Sequence, residues 1–368
     1  MRIRLNNYKQ GDRVVSIAKN EKTKNDLLQS GLDFLTVEDG IVILYPVNEK
    51  MDITEKEYAK LSLCNDYDVC NLWSDGTLYR CYDDSSMDNF FYVTGQCNSN
   101  CIMCPSPEFV RKKGERMTSE NLIEIAKHIP TDTRHLTITG GEPFMIGESI
   151  FDFIDFLSQK FCDTEFLILT NGRIFSITKY VEILEQTIPA NTMLGIPLHG
   201  SNENIHDAIT QTAGSFTQTV AGVRKLLCKK IKIELRLVVN KLNVEDFYNI
   251  AELIVSEFIE IDHVSIMAME MTGNAFVNKE NVWISYKESF GMIEQSILLL
   301  IKKGIDVRLF NFPLCTVKSK YWTLCEKSIS SDKIRYNSKC SNCVVRDACG
   351  GVFAGTYNME KDELVTQI

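Results

Sequence analysis

Between about residues 89 and 310, short runs of β-branched and aromatic residues alternate with stretches whose apolar positions recur every three to four residues. The runs at 90–93, 135–139, 165–170, 193–198, 232–239 and 263–268 read as strands. The stretches at 119–128, 150–160, 177–186, 215–227, 244–256 and 286–302 read as amphipathic helices. In the first of these, Leu122, Ile123, Ile125 and Ala126 share one side of a helical turn, with Ser119 positioned as its cap. Strand–helix alternation of this kind predicts parallel βαβ units. The pattern therefore predicts an α/β fold, a partial (β/α)6 TIM barrel rather than a full ring of eight. Chemistry in such barrels sits at the carboxyl ends of the strands, so the loops that follow strands matter most.

The flanks read differently. Residues 1–88 hold a strand at 41–45, a short helix at 54–62 and a hairpin around Asp75-Gly76, which together suggest a small α+β domain. Residues 311–368 are polar and cysteine-rich with little periodicity, a text better suited to a metal-held extension than to a large apolar core. The expected domains are thus 1–88, 89–310 and 311–368.

Composition changes this picture little. The chain of 368 residues is 44% hydrophobic and 24% charged, as in ordinary globular proteins. A net charge of −9 argues against non-specific binding to nucleic acid. The amino terminus lacks the apolar core of a signal peptide, and no run approaches the roughly 18–20 apolar residues that span a bilayer. A cytoplasmic protein is expected, with no membrane partner.

The cysteines change it most. Thirteen of them in a cytosolic chain point to metal or redox chemistry rather than disulfides. Cys97, Cys101 and Cys104 have the spacing C-x3-C-x2-C directly after the first barrel strand. Three thiolates on one tight loop can hold three irons of a cubane and leave the fourth open, although a zinc site with a distant fourth ligand fits the spacing too. The second strand ends in Gly140-Gly141-Glu142-Pro143. The glycines let a ligand approach the backbone, and Glu142 adds a charged acceptor for an ammonium group. After the third strand, Thr170 and Asn171 can bond a ribose.

In this order and on these strands, the motifs resemble the radical S-adenosylmethionine (SAM) superfamily over roughly residues 89–310. The resemblance implies a [4Fe–4S] cluster on Cys97, Cys101 and Cys104 whose open iron is chelated by SAM. It implies that Gly140, Gly141 and Glu142 receive the SAM amino group and that Thr170 and Asn171 lie near its ribose. Peptide-modifying members often carry an acidic residue after the fourth strand, then His-Asp, an arginine and Gly-Ser-Phe. Here His199 and Thr210 stand at the acidic and arginine positions, so Arg236 on the fifth strand is the substitute for holding the SAM carboxylate. His206-Asp207 reads as a hydrogen-bonding pair at a helix start. No catalytic side chain is assigned.

The second cysteine group, Cys340, Cys343 and Cys349, has the spacing C-x2-C-x5-C, and Cys315 is the expected fourth ligand, with Cys325 its competitor. An auxiliary [4Fe–4S] cluster and a structural zinc ribbon both accept four thiolates. The tail resembles the twitch or SPASM extension of peptide-modifying radical SAM enzymes, with Phe353 where a full SPASM extension has its next cysteine, which favours one auxiliary cluster. Cys64, Cys70, Cys81, Cys162 and Cys228 read as core residues. With Pro-Leu-His-Gly-Ser and His-Asp-Ala-Ile-Thr, the whole is similar to the HxsC maturases of His-Xaa-Ser peptide systems. That resemblance implies an enzyme that cleaves SAM and modifies a ribosomally made precursor peptide by a crosslink, thioether or epimerisation. Its expected partners are that peptide, an electron donor such as flavodoxin or ferredoxin, and a sister radical SAM maturase. A small molecule, a protein side chain or RNA are the alternative substrates, and a redox sensor is the alternative without catalysis.

Overall fold

The computed structural model describes residues 1–38 and 40–359. The chain divides into two compact units, one of residues 1–94, 116–168 and 186–192, the other of residues 95–115, 169–185 and 193–368.

The first unit begins with a seven-stranded mixed sheet: β1 (Arg2–Arg4), β2 (Arg13–Ile17), β3 (Phe34–Glu38), β4 (Ile41–Tyr45), β5 (Glu49–Met51), β6 (Val69–Leu72) and β7 (Thr77–Tyr82), in the order β1-β7-β6-β2-β3-β4-β5. Helix α1 (Glu21–Gln29), capped by Asn20, connects the parallel pair β2 and β3, and α2 (Glu55–Leu61), capped by Thr54, follows β5. Ile3, Val15, Leu35, Leu44, Leu72 and Leu78 fill its core, joined there by Cys64 and Cys70. Cys64 and Cys81 are both pushed up to about 12 by burial, as befits neutral thiols in an apolar interior.

The same unit carries three parallel barrel strands, β8 (Phe90–Tyr92), β9 (His135–Thr139) and β10 (Glu165–Leu169), with β9 paired to both neighbours. After α3 (Glu108–Lys113) of the other unit come α4 (Ser119–His128) and α5 (Ser149–Lys160). The side-chain cap of α4 is Thr118, not Ser119, because the Thr118 hydroxyl accepts the Asn121 N–H at 3.2 Å and Ser119 is buried inside the first turn. Helix α4 also touches the amino-terminal sheet, where the Ser16 hydroxyl meets His128 Nδ1 at 2.9 Å.

In the second unit α6 (Thr178–Thr187, shared at its end with the first unit), α7 (Glu203–Thr210), α8 (Ser215–Cys228) and α9 (Phe247–Glu257) connect further parallel strands. These are β11 (Thr192–Pro197), β12 (Lys232–Val239), β13 (His263–Ala268) and β14 (Asp306–Phe310), paired in sequence order. Strand β13 is buried at every position, as expected of a strand covered on both faces. The apolar pattern does not single out β14, because Asp306 and Arg308 alternate with Val307 and Leu309 and make it resemble a surface turn. Short helices α10 (Gly273–Val277) and α11 (Lys279–Val282) follow β13, then the long α12 (Tyr286–Lys302). Beyond 310 come 3-10 turns and a two-strand pair, Ile334–Arg335 with Val352–Phe353; the last nine residues of the 311–368 extension lie outside the described residues.

Two core expectations fail. Cys162 and Cys228 are exposed, since each stands where its helix ends and the chain turns to solvent. Among the described residues, no helix is long and apolar enough to cross a membrane.

Candidate cluster loop and cysteine pocket

Residues 95–115 form a loop closed at its base, where Gly95 N–H bonds Glu115 O at 3.0 Å and the Gln96 amide bonds Gly114 O at 2.8 Å. Gly95 and Gly114 permit that closure, because a Cβ on Gly114 would stand 2.8 Å from the Gly95 Cα. The loop carries Cys97, Cys101 and Cys104 and is held from several sides. Cys97 N–H bonds Arg111 O at 3.0 Å, Asn100 N–H bonds Thr210 O at 3.0 Å, and Ile102 N–H bonds Ile209 O at 2.9 Å. The Asn274 side chain donates to Cys101 O at 3.2 Å and that of Asn278 to Ile102 O at 3.1 Å. Ser99 N–H points at Cys97 Sγ at 3.4 Å, a donor of the kind that supports a thiolate. Burial, then the adjacent thiols of Cys104 and Cys97, push Cys101 up to about 12, while Arg111 acts in the opposite sense.

Thr170 and Asn171 shape the turn beside this loop. The Thr170 hydroxyl accepts Gly172 N–H at 3.1 Å, the Asn171 carbonyl oxygen of the side chain accepts Arg173 N–H at 3.1 Å, and the Asn171 amide donates to Asn98 Oδ1 at 2.6 Å. Gly172 has φ 74°, the left-handed conformation that closes the turn. Arg173, which the sequence pattern passes over, donates to Asn98 O at 2.8 Å and to the Ser99 hydroxyl at 3.0 Å. Nothing in the sequence distinguishes it from any arginine after a Thr-Asn-Gly turn.

In the first unit, Gly140 and Gly141 stand where β9 ends. A Cβ on Gly140 would lie 2.3 Å from Thr94 O, and Gly141 N–H bonds that same oxygen at 2.7 Å. Gly140 is thus required by the strand ends themselves, apart from any ligand. Glu142 is buried and its carboxylate caps the 3-10 turn Pro143–Ile146 by accepting Phe144 N–H at 3.2 Å.

His199 and His206 are neighbours, ring centroids 5.3 Å apart with the rings tilted 48° to each other, and His206 Nδ1 accepts the His199 N–H at 3.2 Å. Burial lowers His199 to about 3 and His206 to about 4, so both are neutral imidazoles. The His206-Asp207 pair is not a helix start, because α7 begins at Glu203 with Asn202 as its cap. Asp207 caps the next helix instead, accepting from Gly214 N–H at 2.6 Å, the Ser215 hydroxyl at 2.7 Å and Phe216 N–H at 2.8 Å. Thr210 is tied to Ser215 at 2.6 Å within the same knot. Arg236 forks onto Glu234 two residues earlier, at 2.9 and 3.0 Å, with its other nitrogen 3.5 Å from Met267 Sδ.

In the carboxyl-terminal extension, Cys315, Cys340, Cys343 and Cys349 line one pocket, together with Arg335, Tyr336 and Arg346. Leu314 and Gly351 direct their N–H groups at Cys349 Sγ, both at 3.4 Å. Cys325 is not part of that lining. It sits on a short strand beside β14 with its thiol toward Tyr321 O at 3.7 Å, and burial, then Cys349, push it up to about 12. Among the described residues no three His, Cys, Asp or Glu side chains converge on a single ion position. A cubane asks for a looser set, since each thiolate binds its own iron.

Residues 91–254 match the Radical SAM superfamily. The chain carries a radical SAM domain. The superfamily matched by that region uses a [4Fe–4S] cluster together with SAM. Over 166 residues, 44% of this chain, it is 26% identical to the antilisterial bacteriocin subtilosin biosynthesis protein AlbA of Bacillus subtilis. It spans only 35% of AlbA's length. SuiB of Streptococcus suis, solved bound to S-adenosylmethionine, superposes with a TM-score of 0.53 at 12% identity, covering 76% of this chain and 75% of that one. Native anSMEcpe with bound AdoMet gives 0.55 at 12% identity, covering 76% and 92%. These likenesses give the fold: a partial TIM barrel of parallel strands with helices between them.

Proposed function

We propose that this radical SAM domain cleaves SAM reductively and that the protein modifies a ribosomally made peptide, with Cys97, Cys101 and Cys104 holding the catalytic cluster. Cys315, Cys340, Cys343 and Cys349 would hold an auxiliary [4Fe–4S] cluster. The observation that carries this reading is the union of the two thiol sets: an open three-cysteine loop in the radical SAM domain and a separate four-cysteine pocket. Three ligands leave an iron for a substrate, and four saturate a cubane that can only pass electrons.

When bound, the first cluster would supply one low-potential electron to the SAM sulfonium, releasing methionine and a 5′-deoxyadenosyl radical that takes hydrogen from carbon. The chain's own residues must hold and shield that chemistry. Glu142 and the Gly140 and Gly141 carbonyls offer acceptors for the SAM ammonium, Thr170 and Asn171 offer polar atoms to its ribose, and Arg236 offers a cation to its carboxylate. The peptide reading draws on AlbA's role in bacteriocin biosynthesis. His-Xaa-Ser repeats in the precursor, an electron donor of the flavodoxin or ferredoxin type and a sister maturase belong to the same proposal.

Incubation with SAM and dithionite should release 5′-deoxyadenosine. Adding a peptide encoded beside the gene should change that peptide's mass, by a loss of two hydrogens for a crosslink. Absence of 5′-deoxyadenosine from iron-loaded protein would sink the enzymatic reading. The edge strand β5 is the proposed docking edge for the peptide backbone, since side chains of α2 already bond the β1 backbone at Arg2 O and Arg4 N. Peptide addition should slow hydrogen exchange at Glu49–Met51; unchanged exchange there removes that role.

A further inference from the structure

We infer that Arg111 is the counter-charge of the cysteine loop, a positioning residue that balances a thiolate-bound cluster at Cys97, Cys101 and Cys104 and makes it easier to reduce. The inference rests on the reading of that loop as a cluster site. Arg111 lies on α3 and is only 3% exposed. One guanidinium nitrogen donates to Ser106 O and another to Asn100 Oδ1 at 2.5 Å, while Nε is buried with no hydrogen-bond partner. Both acceptors are neutral. The carboxylate on its own helix, Glu108, bonds Lys112 instead, at 2.6 Å.

A guanidinium taken out of water among neutral acceptors is costly unless an anion lies close. The exposed Glu108 carboxylate feels its charge from outside, while the guanidinium itself is held between Asn100 and Ser106, which bracket Cys101 and Cys104 on the loop. Its own carbonyl accepts the Cys97 N–H at 3.0 Å, and its charge acts on Cys101. The arginine thus belongs to the same closed loop as the three ligands. A fixed cation near a cubane stabilises the more negative, reduced state, because net charge and hydrogen bonding set cluster potentials. Arginine suits this place better than lysine in shape, since its fork spans Ser106 and Asn100 together. Lysine nonetheless keeps the charge.

The test is potentiometry on the anaerobic full-length protein, following the electron paramagnetic resonance signal that responds to added SAM. Replacing Arg111 by Gln should lower the reduced-to-oxidised ratio at a fixed potential about tenfold, equivalent to about 59 mV for one electron. Arg111→Lys should restore the wild-type ratio. An Arg111→Gln protein with wild-type potential overturns the assignment and leaves the cluster reading intact. If the Gln variant fails to hold iron, the Lys variant decides: iron and potential retained support the charge, and loss in both overturns it in favour of shape. A wild-type loop that takes up no iron overturns both readings.

Discussion

At the scale of single residues, Asp207 shows how a sequence motif can be seen and its job mistaken. A histidine-aspartate pair before a glycine reads as the start of its own helix, because aspartate is a common cap. The chain instead folds α7 through it and uses its carboxylate for α8, seven to nine residues on. Spacing within a sequence does not reveal which of two successive helices a carboxylate will reach. Burial raises the Asp207 pKa, but the bonds from Ser215, Phe216 and Gly214 more than offset this and hold it below the usual carboxylate range. A depressed carboxylate stabilises above its unfolded pKa, near 4, and that contribution is lost as pH falls through the folded value. Asp207→Ala should cost about 1–2 kcal/mol in urea unfolding, and Asp207→Asn should remove the acid-side loss. A variant as stable as the wild type would show the cap to be dispensable.

Three of the four buried histidines act in the same direction as Asp207 when acid is added. His199 lies near 3, and His206 and His128 near 4, all held down chiefly by burial. In the unfolded chain each would protonate around pH 6.5. Below that pH the unfolded chain binds protons that the folded one refuses, so stability falls from about pH 6.5 toward about pH 4. The slope should reach about 1.4 kcal/mol per pH unit for each histidine. Unfolding midpoints measured between pH 7 and 5 should drop accordingly, and His128→Gln should flatten the profile if the variant keeps its hydrogen bond to Ser16. A flat wild-type profile would contradict the neutral assignment.

At the scale of elements, the barrel was legible because its signal is redundant. Six strands and their helices each repeat the same alternation, and parallel strands covered on both faces are rich in apolar residues. Strand β14 escaped because it alternates charged with apolar residues, as Arg308 and Asp306 face outward and bond each other at 3.1 Å. The Gly140-Gly141 pair was legible for a partial reason. Ligand approach suggests glycine there, yet the closest neighbour of a Gly140 Cβ is the Thr94 carbonyl, at 2.3 Å. Backbone cannot yield as a flexible side chain can. Gly140→Ala should therefore reduce thermal stability by several degrees even without SAM, whereas a purely ligand-binding glycine would leave the apo protein unchanged.

At the scale of the whole molecule, the two thiol groups were visible as clusters in the sequence, but the partner of the second one was not. Cys315 and Cys325 precede the Cys340 group by comparable stretches, and no periodicity links either to it. The fold separates them: Cys315 lines the pocket with Cys340, Cys343 and Cys349, and Cys325 stands on the strand outside it. A cubane needs four thiolates to be closed, and a cluster missing one becomes labile and open to other ligands. The wild-type protein, purified anaerobically, should hold about eight irons, two cubanes' worth. Cys315→Ala should lose up to about four of them and the SAM-insensitive part of the resonance spectrum. Cys325→Ala should keep both, because its thiol lies outside that lining. The reverse pattern would move the fourth ligand to Cys325, and about four irons with bound zinc in the wild type would make the pocket a zinc site. Since zinc carries no redox change, that last outcome would also remove electron relay from the extension and leave it a purely structural clasp.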